Sequence, residues 1–309
     1  MVEDQLNITI KKIMASIKKR ILVTGSNGQL GREIQKLAPS HPEYSFLFHD
    51  VDTLDITNAS QVDRFVSDKE LSWIINCAAY TAVDKAEEDR ANAEKVNIKA
   101  VANLADASVK NNARLIHIST DYVFSGTGYM PYKEDFPAGP RSVYGITKEA
   151  GEKKALKVPG AFVIRTSWLY SAHGNNFVKT MLRLGSERDK INVVADQIGS
   201  PTFAGDLATA ILAVIEFCDK NQQKDVSGIY HFSNEGVASW YDFAFEIMQQ
   251  AGYTCKISPV DSSEFPVPAP RPHYSVLNKE KFRKNFGFDI PHWKISLKKC
   301  MTEILASQT

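Results

Sequence analysis

The 309-residue chain predicts an α/β fold built on a doubly wound parallel sheet, and three observations carry that expectation. Short apolar, β-branched runs over 20–24, 44–48, 73–76 and 114–118 suit strands buried on both faces. Amphipathic stretches separate them, and two strand–helix–strand units in succession require a parallel sheet. The first run stops abruptly at Gly25-Ser26-Asn27-Gly28-Gln29-Leu30-Gly31, a glycine turn between a strand and a helix.

That turn is a phosphate-binding arrangement when it stands in this context. Gly25 permits the tight turn, and Gly28 lets the backbone approach a pyrophosphate at the helix N-terminus. There, free N–H groups and the helix dipole favour an anion. Gly31 allows close packing of helix on strand. The helix runs to about Ala38 and is ended by Pro39. Asp50 follows the second strand, 19 residues after Gly31, where a carboxylate accepts ribose hydroxyls and favours NAD over NADP. Asp52 competes for that role. Asp55-Ile56-Thr57 leads into a helix over 58–67, with Asp55 suited to an adenine edge. The third strand ends in Cys77-Ala78-Ala79, side chains small enough for a flat ligand to pass.

A helix over 91–111 comes next, with Val96, Ala100, Leu104 and Val109 among its apolar positions. Asn97 is a polar residue on it, and a satisfied surface amide is one explanation. The fourth strand ends in Ser119-Thr120, placing hydroxyls at the carboxyl end where ligands of such sheets lie. The loop over 125–140 is placed to cover that crevice. Tyr144 and Lys148 then stand four apart, which on a helix puts phenol and ammonium on one face. A cation within about 4–6 Å favours a phenolate, so the pair could serve as an acid–base device. An ordinary exposed helix is the competing explanation.

The bulk numbers exclude several classes. With 37 basic and 36 acidic residues the net charge is +1, so neither nucleic acid nor a membrane surface is an expected partner. The four cysteines are scattered, with no Cys-x-x-Cys, which suggests reduced thiols and no zinc site. Glu3 and Asp4 stand where a signal peptide would be basic, and no transmembrane run appears, so a cytoplasmic location is expected. Residues 1–17 read as a loosely ordered tail. Residues 18–167 read as the dinucleotide-binding domain, and 168–309 as a smaller, interleaved substrate-binding domain. In that half, helices are expected over 176–187, 205–219, 240–251, 278–286 and 293–305. Strands are expected over 191–194 and 228–232, the latter returning to the main sheet. Five of the thirteen prolines fall in 259–272, a stiff segment suited to a wall over a nucleotide.

Taken together, Gly25/Gly28/Gly31, Asn76-x-Ala78-Ala79, Ser119-Thr120 and Tyr144-x-x-x-Lys148 resemble the extended short-chain dehydrogenase/reductase superfamily, with its Rossmann-like fold. Within it, residues 80–87, 119–124, 165–168 and 175–177 resemble the dTDP-4-dehydrorhamnose reductases. Asp196-Gln197, Gly199-Ser200-Pro201-Thr202 and Arg271-Pro272 do so too. The resemblance implies NADPH or NADH as cofactor and reduction of the 4-keto group of a dTDP-sugar, with activity expected from either cofactor. It implies Tyr144 as proton donor, Thr120 as the hydroxyl on the carbonyl, and Lys148 on the nicotinamide ribose with Asn97 supporting it. Gly25, Gly28, Gln29, Leu30, Gly31, Asp50, Asp55, Ile56, Ala78 and Ala79 would hold the dinucleotide. Val83, Tyr122 and Trp168 would line the sugar pocket, and Arg271 would meet an anionic part of the substrate. Core packing for Trp168 and a surface salt bridge for Arg271 are the alternatives. A homodimer is possible. Some relatives hold magnesium between subunits through glutamates. Glu33 and Glu303 fit two such positions, but Gly205 falls at the third with Asp206 adjacent, so no obligatory metal is expected and a helix-surface role is expected for all three acids. Two rival functions stay open: reduction of another 4-keto nucleotide sugar, and a dinucleotide-binding regulatory subunit without catalysis.

Overall fold

The computed structural model describes residues 18–306, so the tail expected over 1–17 lies outside the described residues. The chain opens with β1 (Lys19–Thr24), α1 (Gln29–Leu37), β2 (Tyr44–His49), α2 (Ala59–Val66) and β3 (Leu71–Asn76). After the short α3 (Val83–Glu88) comes α4, in which helical segments Arg90–Glu94 and Ala100–Lys110 are joined by a π-helical turn at Lys95–Lys99. β4 (Arg114–Thr120), α5 (Val143–Ala155) and β5 (Phe162–Thr166) complete this half. The second half runs β6 (Leu169–Tyr170), α6 (Phe177–Glu187), β7 (Lys190–Val194), β8 (Ile198–Gly199), β9 (Thr202–Phe203) and α7 (Ala204–Lys220). It continues with β10 (Gly228–His231), β11 (Ala238–Ser239), α8 (Trp240–Ala251), β12 (Lys256–Val260), α9 (Glu280–Phe286) and α10 (Trp293–Ala306).

Six strands form one parallel sheet in the order β2-β1-β3-β4-β5-β10. Alternate side chains of each strand face opposite ways. Ile21 and Val23 therefore pack under α7 with Ile116, Phe162, Leu207, Ile211 and Phe282. Leu22 faces the other side, with Ile74, Leu115, Val62 of α2 and Leu104 of α4. Burial on both faces explains why these strands carry no polar alternation. The chain winds outward from β1 in both directions, so a crevice opens between the carboxyl ends of β1 and β3. As the sequence predicts, β10 rejoins this sheet beside β5. A separate apolar cluster joins α6, α8 and α10 to β7 and β12. Pro259 lies in β12, which belongs to a two-stranded ribbon where a missing N–H is tolerated.

Three expectations are corrected. The single helix over 91–111 is interrupted by its π-helical turn, where Asn97 is buried and packs against Gly151 of α5. A side chain on Gly151 would stand 2.3 Å from the Asn97 carbonyl oxygen, so the two helices meet backbone to backbone. Val109 is exposed, because the last turn of α4 buries Ala107 and Ser108 instead. The loop over 125–140 does not cover the crevice. Tyr132 draws it away by stacking on Phe124 at 4.3 Å, while its backbone N–H bonds the Val276 carbonyl at 2.9 Å.

The helix-surface expectation fails for two of the three acids. Glu33 is 2% exposed where α1 meets α10, and Asp206 is buried, accepting hydrogen bonds from Asn234 (2.7 Å) and Ser296. Lys36 Nζ stands 2.5 Å from Glu303 and 3.9 Å from Glu33. An ammonium thus already faces both carboxylates, and Gly205 offers no ligand at the third position, so the donor set within this chain does not fit magnesium. Burial, aided by the charge of Glu303 and opposed by Lys36, pushes the Glu33 carboxyl up from 4.5 to about 7. The folded state therefore holds a proton that the unfolded chain releases. The resulting stabilisation is complete below pH 4.5 and is lost as pH rises to about 7. Urea unfolding at pH 5 and pH 8 should show the wild type losing about 1–3 kcal/mol more than Glu33→Gln across that interval. Equal losses in the two proteins would contradict this.

Candidate active site

A cavity of about 870 Å³ opens at the carboxyl ends of β1, β3, β4 and β5. Its floor is the turn between β1 and α1. Gly25 has φ +66°, and a side chain there would stand 2.6 Å from the Ala78 backbone nitrogen. Both facts demand glycine. Gly28 caps α1, so the first N–H groups of the helix, beginning at Gln29 and Leu30, have no partner within it. Gly31 lies just inside α1, where a side chain would approach the Gly25 carbonyl oxygen to 2.5 Å. Close packing is therefore its role, and it does not line the cavity.

The walls follow. Asp50 lines the cavity and accepts the Asn27 N–H at 2.8 Å, which ties the end of β2 to the glycine turn. Asp52 does not line it. Asp55 and Ile56 do, with Asp55 accepting both the N–H and the hydroxyl of Thr57, bonds that hold its carboxyl below the ordinary value. Ala78 and Ala79 sit at the end of β3, and Val83 begins α3 beside them.

At the far end Thr120, Tyr122, Tyr144, Lys148 and Trp168 line the same cavity. Ser142 caps α5 by accepting the Gly145 N–H at 3.1 Å, which sets where Tyr144 enters. The Tyr144 ring meets Tyr122 edge to face at 5.4 Å. Burial pushes its phenol above the ordinary value, while the facing Thr120 hydroxyl opposes the shift. Lys148 is not among the groups that shift this phenol, and its ammonium donates to the Ile118 carbonyl at 2.6 Å. Burial also lowers the lysine to about 8. Thr120 donates to Asp121 at 3.1 Å, and burial pushes that carboxyl up to about 6.

Besides Gly31, two predicted residues stand outside the cavity. Asn97 is 1% exposed, so the surface-amide explanation fails. Its amide accepts the Tyr80 N–H at 2.9 Å and donates to the Thr147 hydroxyl at 3.1 Å, reaching the neighbour of Lys148 rather than Lys148. Arg271 pairs with Asp84 at 2.6 Å and donates to the Tyr122 hydroxyl at 3.3 Å. The salt-bridge alternative describes it, and the proline-rich segment before it forms no wall of the cavity.

Trp168 carries a left-handed backbone, φ +48°, and stacks on Trp240 at 3.5 Å with 7° between planes. Both indoles line the cavity. Trp240 is a site residue that sequence reasoning missed. The available signal was the capping box Ser239-x-x-Asp242, which marks where α8 begins. Asn176, part of the 175–177 motif, carries a role that the motif alone did not assign. It caps α6 and donates to the Gln29 side chain at 2.9 Å, so the second half of the chain braces the glycine turn.

With that geometry in view, the known relatives are informative. The family model described as RmlD substrate binding domain matches residues 19–306. A dTDP-4-dehydrorhamnose reductase of Aggregatibacter actinomycetemcomitans is 40% identical, covering 90% of this chain and 97% of the relative. A probable dTDP-4,6-dihydroxy-2-methyloxan-3-one 4-ketoreductase of Streptomyces antibioticus is 41% identical, covering 94% and 97%. Among solved structures, a dTDP-4-dehydrorhamnose reductase of Bacillus anthracis in complex with NADP shares 42% identity and a TM-score of 0.86, covering 93% of this chain and all of the other. The match spans both halves of the molecule and the whole cavity between them: this chain belongs to the dTDP-4-dehydrorhamnose reductase family.

Proposed function

We propose that the protein reduces the 4-keto group of dTDP-6-deoxy-L-lyxo-4-hexulose to give dTDP-L-rhamnose, using NADPH or NADH. The observation that carries this reading is the convergence of Thr120, Tyr144 and Lys148 at one end of a cavity whose other end is a glycine turn at a helix N-terminus. The bound nicotinamide supplies the hydride. Gly25, Gly28, Gln29 and Leu30 accommodate the pyrophosphate, with Asp50 on the adenosine ribose, Asp55 and Ile56 at the adenine, and Ala78 and Ala79 flanking its path. Gly31 acts indirectly, by letting α1 pack closely.

Reduction builds negative charge on the ketone oxygen, so donors must meet it there. Tyr144 donates the proton. Its burial keeps the phenol protonated at neutral pH, which suits a donor. Thr120 holds the carbonyl oxygen. The Lys148 ammonium holds the nicotinamide ribose and favours the charge left on Tyr144. Asn97 supports this group at one remove, by fixing Tyr80 and Thr147. Val83, Tyr122 and Trp168 line the sugar pocket, an indole face packing well against sugar C–H groups. Arg271 would leave Asp84 for an anionic substrate group only at the cost of that ion pair.

Residues 18–167 form the dinucleotide-binding domain and 168–309 mainly the substrate domain. Among the described residues no helix is long and apolar enough to cross a membrane. A cytoplasmic location is part of the proposal. A homodimer is compatible with the fold. The Streptomyces relative, named for a different 4-keto sugar, supports a second reading in which another sugar is reduced by the same machinery. A regulatory role without catalysis leaves the convergence of the three side chains unexplained.

The deciding experiment mixes the protein with dTDP-4-keto-6-deoxy-glucose, the matching epimerase and NADPH or NADH. Nicotinamide oxidation with rhamnose stereochemistry in the product supports the first reading. A different stereochemistry supports the second, and no oxidation refutes both. Both cofactors should give usable rates, and a thousandfold bias toward either would contradict that expectation. Tyr144→Phe should lower turnover roughly 10²–10⁴-fold, and near wild-type turnover would remove it from the mechanism. kcat/KM should fall above about pH 8, because the Lys148 ammonium is lost as pH rises through its value. A flat profile to pH 10 would contradict the need for that charge.

A further inference from the structure

We propose that Glu152 is a positioning residue that locks the strand carrying Thr120 to the helix carrying Tyr144 and Lys148. This deepens the reading above and rests on it. Glu152 lies one helical turn beyond Lys148 on α5, is 2% exposed, and does not line the cavity. The Ser119 hydroxyl on β4 donates to its Oε1 at 2.5 Å. Arg165 on β5 clasps it in a bidentate pair, Nε to Oε1 at 2.9 Å and Nη2 to Oε2 at 2.7 Å. Ser119 and Arg165 are register partners across β4 and β5. One carboxylate therefore joins a helix to two adjacent strands.

The position of that junction gives it consequence. Ser119 immediately precedes Thr120, and Ile118, which immediately precedes Ser119, accepts the Lys148 ammonium. The strand end and the helix turn are thus tied twice, once through Lys148 and once through Glu152. Sliding α5 along β4 would break both ties and carry Tyr144 away from Thr120. A misplacement of about 1 Å between reacting groups can cost about 100-fold in rate. A buried ion pair is a weak source of stability, since desolvation offsets most of the attraction. Its value here is geometric. Arg165 is itself fixed, with its guanidinium over the Phe124 ring at 5.0 Å.

Glu152 also acts on Lys148 through charge. The groups facing that ammonium are Glu152 on its own helix, Cys77 at the end of β3 and His117 on β4. Of these, Glu152 favours the protonated lysine most, against the effect of burial. His117 is held neutral by burial and by the lysine itself. Removing the Glu152 charge leaves Lys148 less able to keep its proton.

The test follows kcat/KM against pH in Glu152→Gln and Glu152→Asp, with folding checked by circular dichroism. The alkaline limb of Glu152→Gln should move about one pH unit or more toward acid, and Glu152→Asp should restore most of it. A limb at the wild-type position in folded Glu152→Gln overturns the proposal. Glu152→Gln leaves Arg165 buried without its partner; where that variant does not fold, Ser119→Ala decides, because it keeps the ion pair. A kcat about tenfold lower with an unchanged KM for the nicotinamide cofactor supports the lock, and a wild-type kcat overturns it. Failure of the underlying reading is separate, since it appears as full turnover in Tyr144→Phe.

Discussion

The structure depends on one buried cation. Lys148 is 2% exposed, and its ammonium is held by the Ile118 carbonyl. Burying a charge is unfavourable unless hydrogen bonds and an opposite charge replace water. Here a strand-end carbonyl supplies the hydrogen bond, and Glu152 one turn away supplies the opposite charge. Meeting that requirement fixes α5 against β4, and this placement puts Tyr144 beside Thr120. The floor of the cavity obeys a second constraint of the same kind. Gly25 and Gly31 let three backbones approach more closely than any side chain would allow. The unpartnered N–H groups of α1 therefore face the space beneath the strand ends.

The same burial divides the labour between phenol and ammonium. It raises Tyr144 and lowers Lys148, so the protein without ligand carries a protonated donor next to a cation close to losing its own proton. Simple pairing of cation and phenol predicts a tyrosine made more acidic. Here the phenol shifts the other way, because desolvation dominates and Lys148 is not among the groups that act on it. A ligand that gives the ammonium a new partner would change this balance, which makes the pair sensitive to what occupies the cavity.

Much of this was legible in the sequence, for identifiable reasons. The inner strands of the main sheet are buried on both faces, and β1 to β4 are the apolar runs over 20–24, 44–48, 73–76 and 114–118. The glycine turn and the Tyr144/Lys148 spacing report local geometry, which sequence carries directly. The return of β10 to the sheet was also readable. What escaped depends on contacts between distant segments. Glu33 looks like one more charged residue on an amphipathic helix until tertiary packing buries it. Trp240 reaches the cavity only by stacking on Trp168, 72 residues earlier. The π-helical turn at Asn97 reflects the approach of Gly151, which helical periodicity cannot reveal. The loop over 125–140 was placed wrongly because its anchor, the Tyr132 contact with the segment around Val276 and Leu277, is entirely tertiary. For Arg271 the sequence leaves a ligand contact and a salt bridge both open, and the ion pair it makes with Asp84, 187 residues away, is a tertiary contact that local pattern does not display.

The central claim is that a dinucleotide lies along the cavity with its reactive ring beside Thr120, Tyr144 and Lys148. Isotope transfer tests it most directly, using NADPH deuterated at both nicotinamide C4 positions and the 4-keto sugar nucleotide. The account predicts a single deuterium at C4 of the product sugar, resolved by proton NMR and mass spectrometry. Product carrying only protium at that carbon, or nicotinamide oxidised without a reduced sugar, would contradict it.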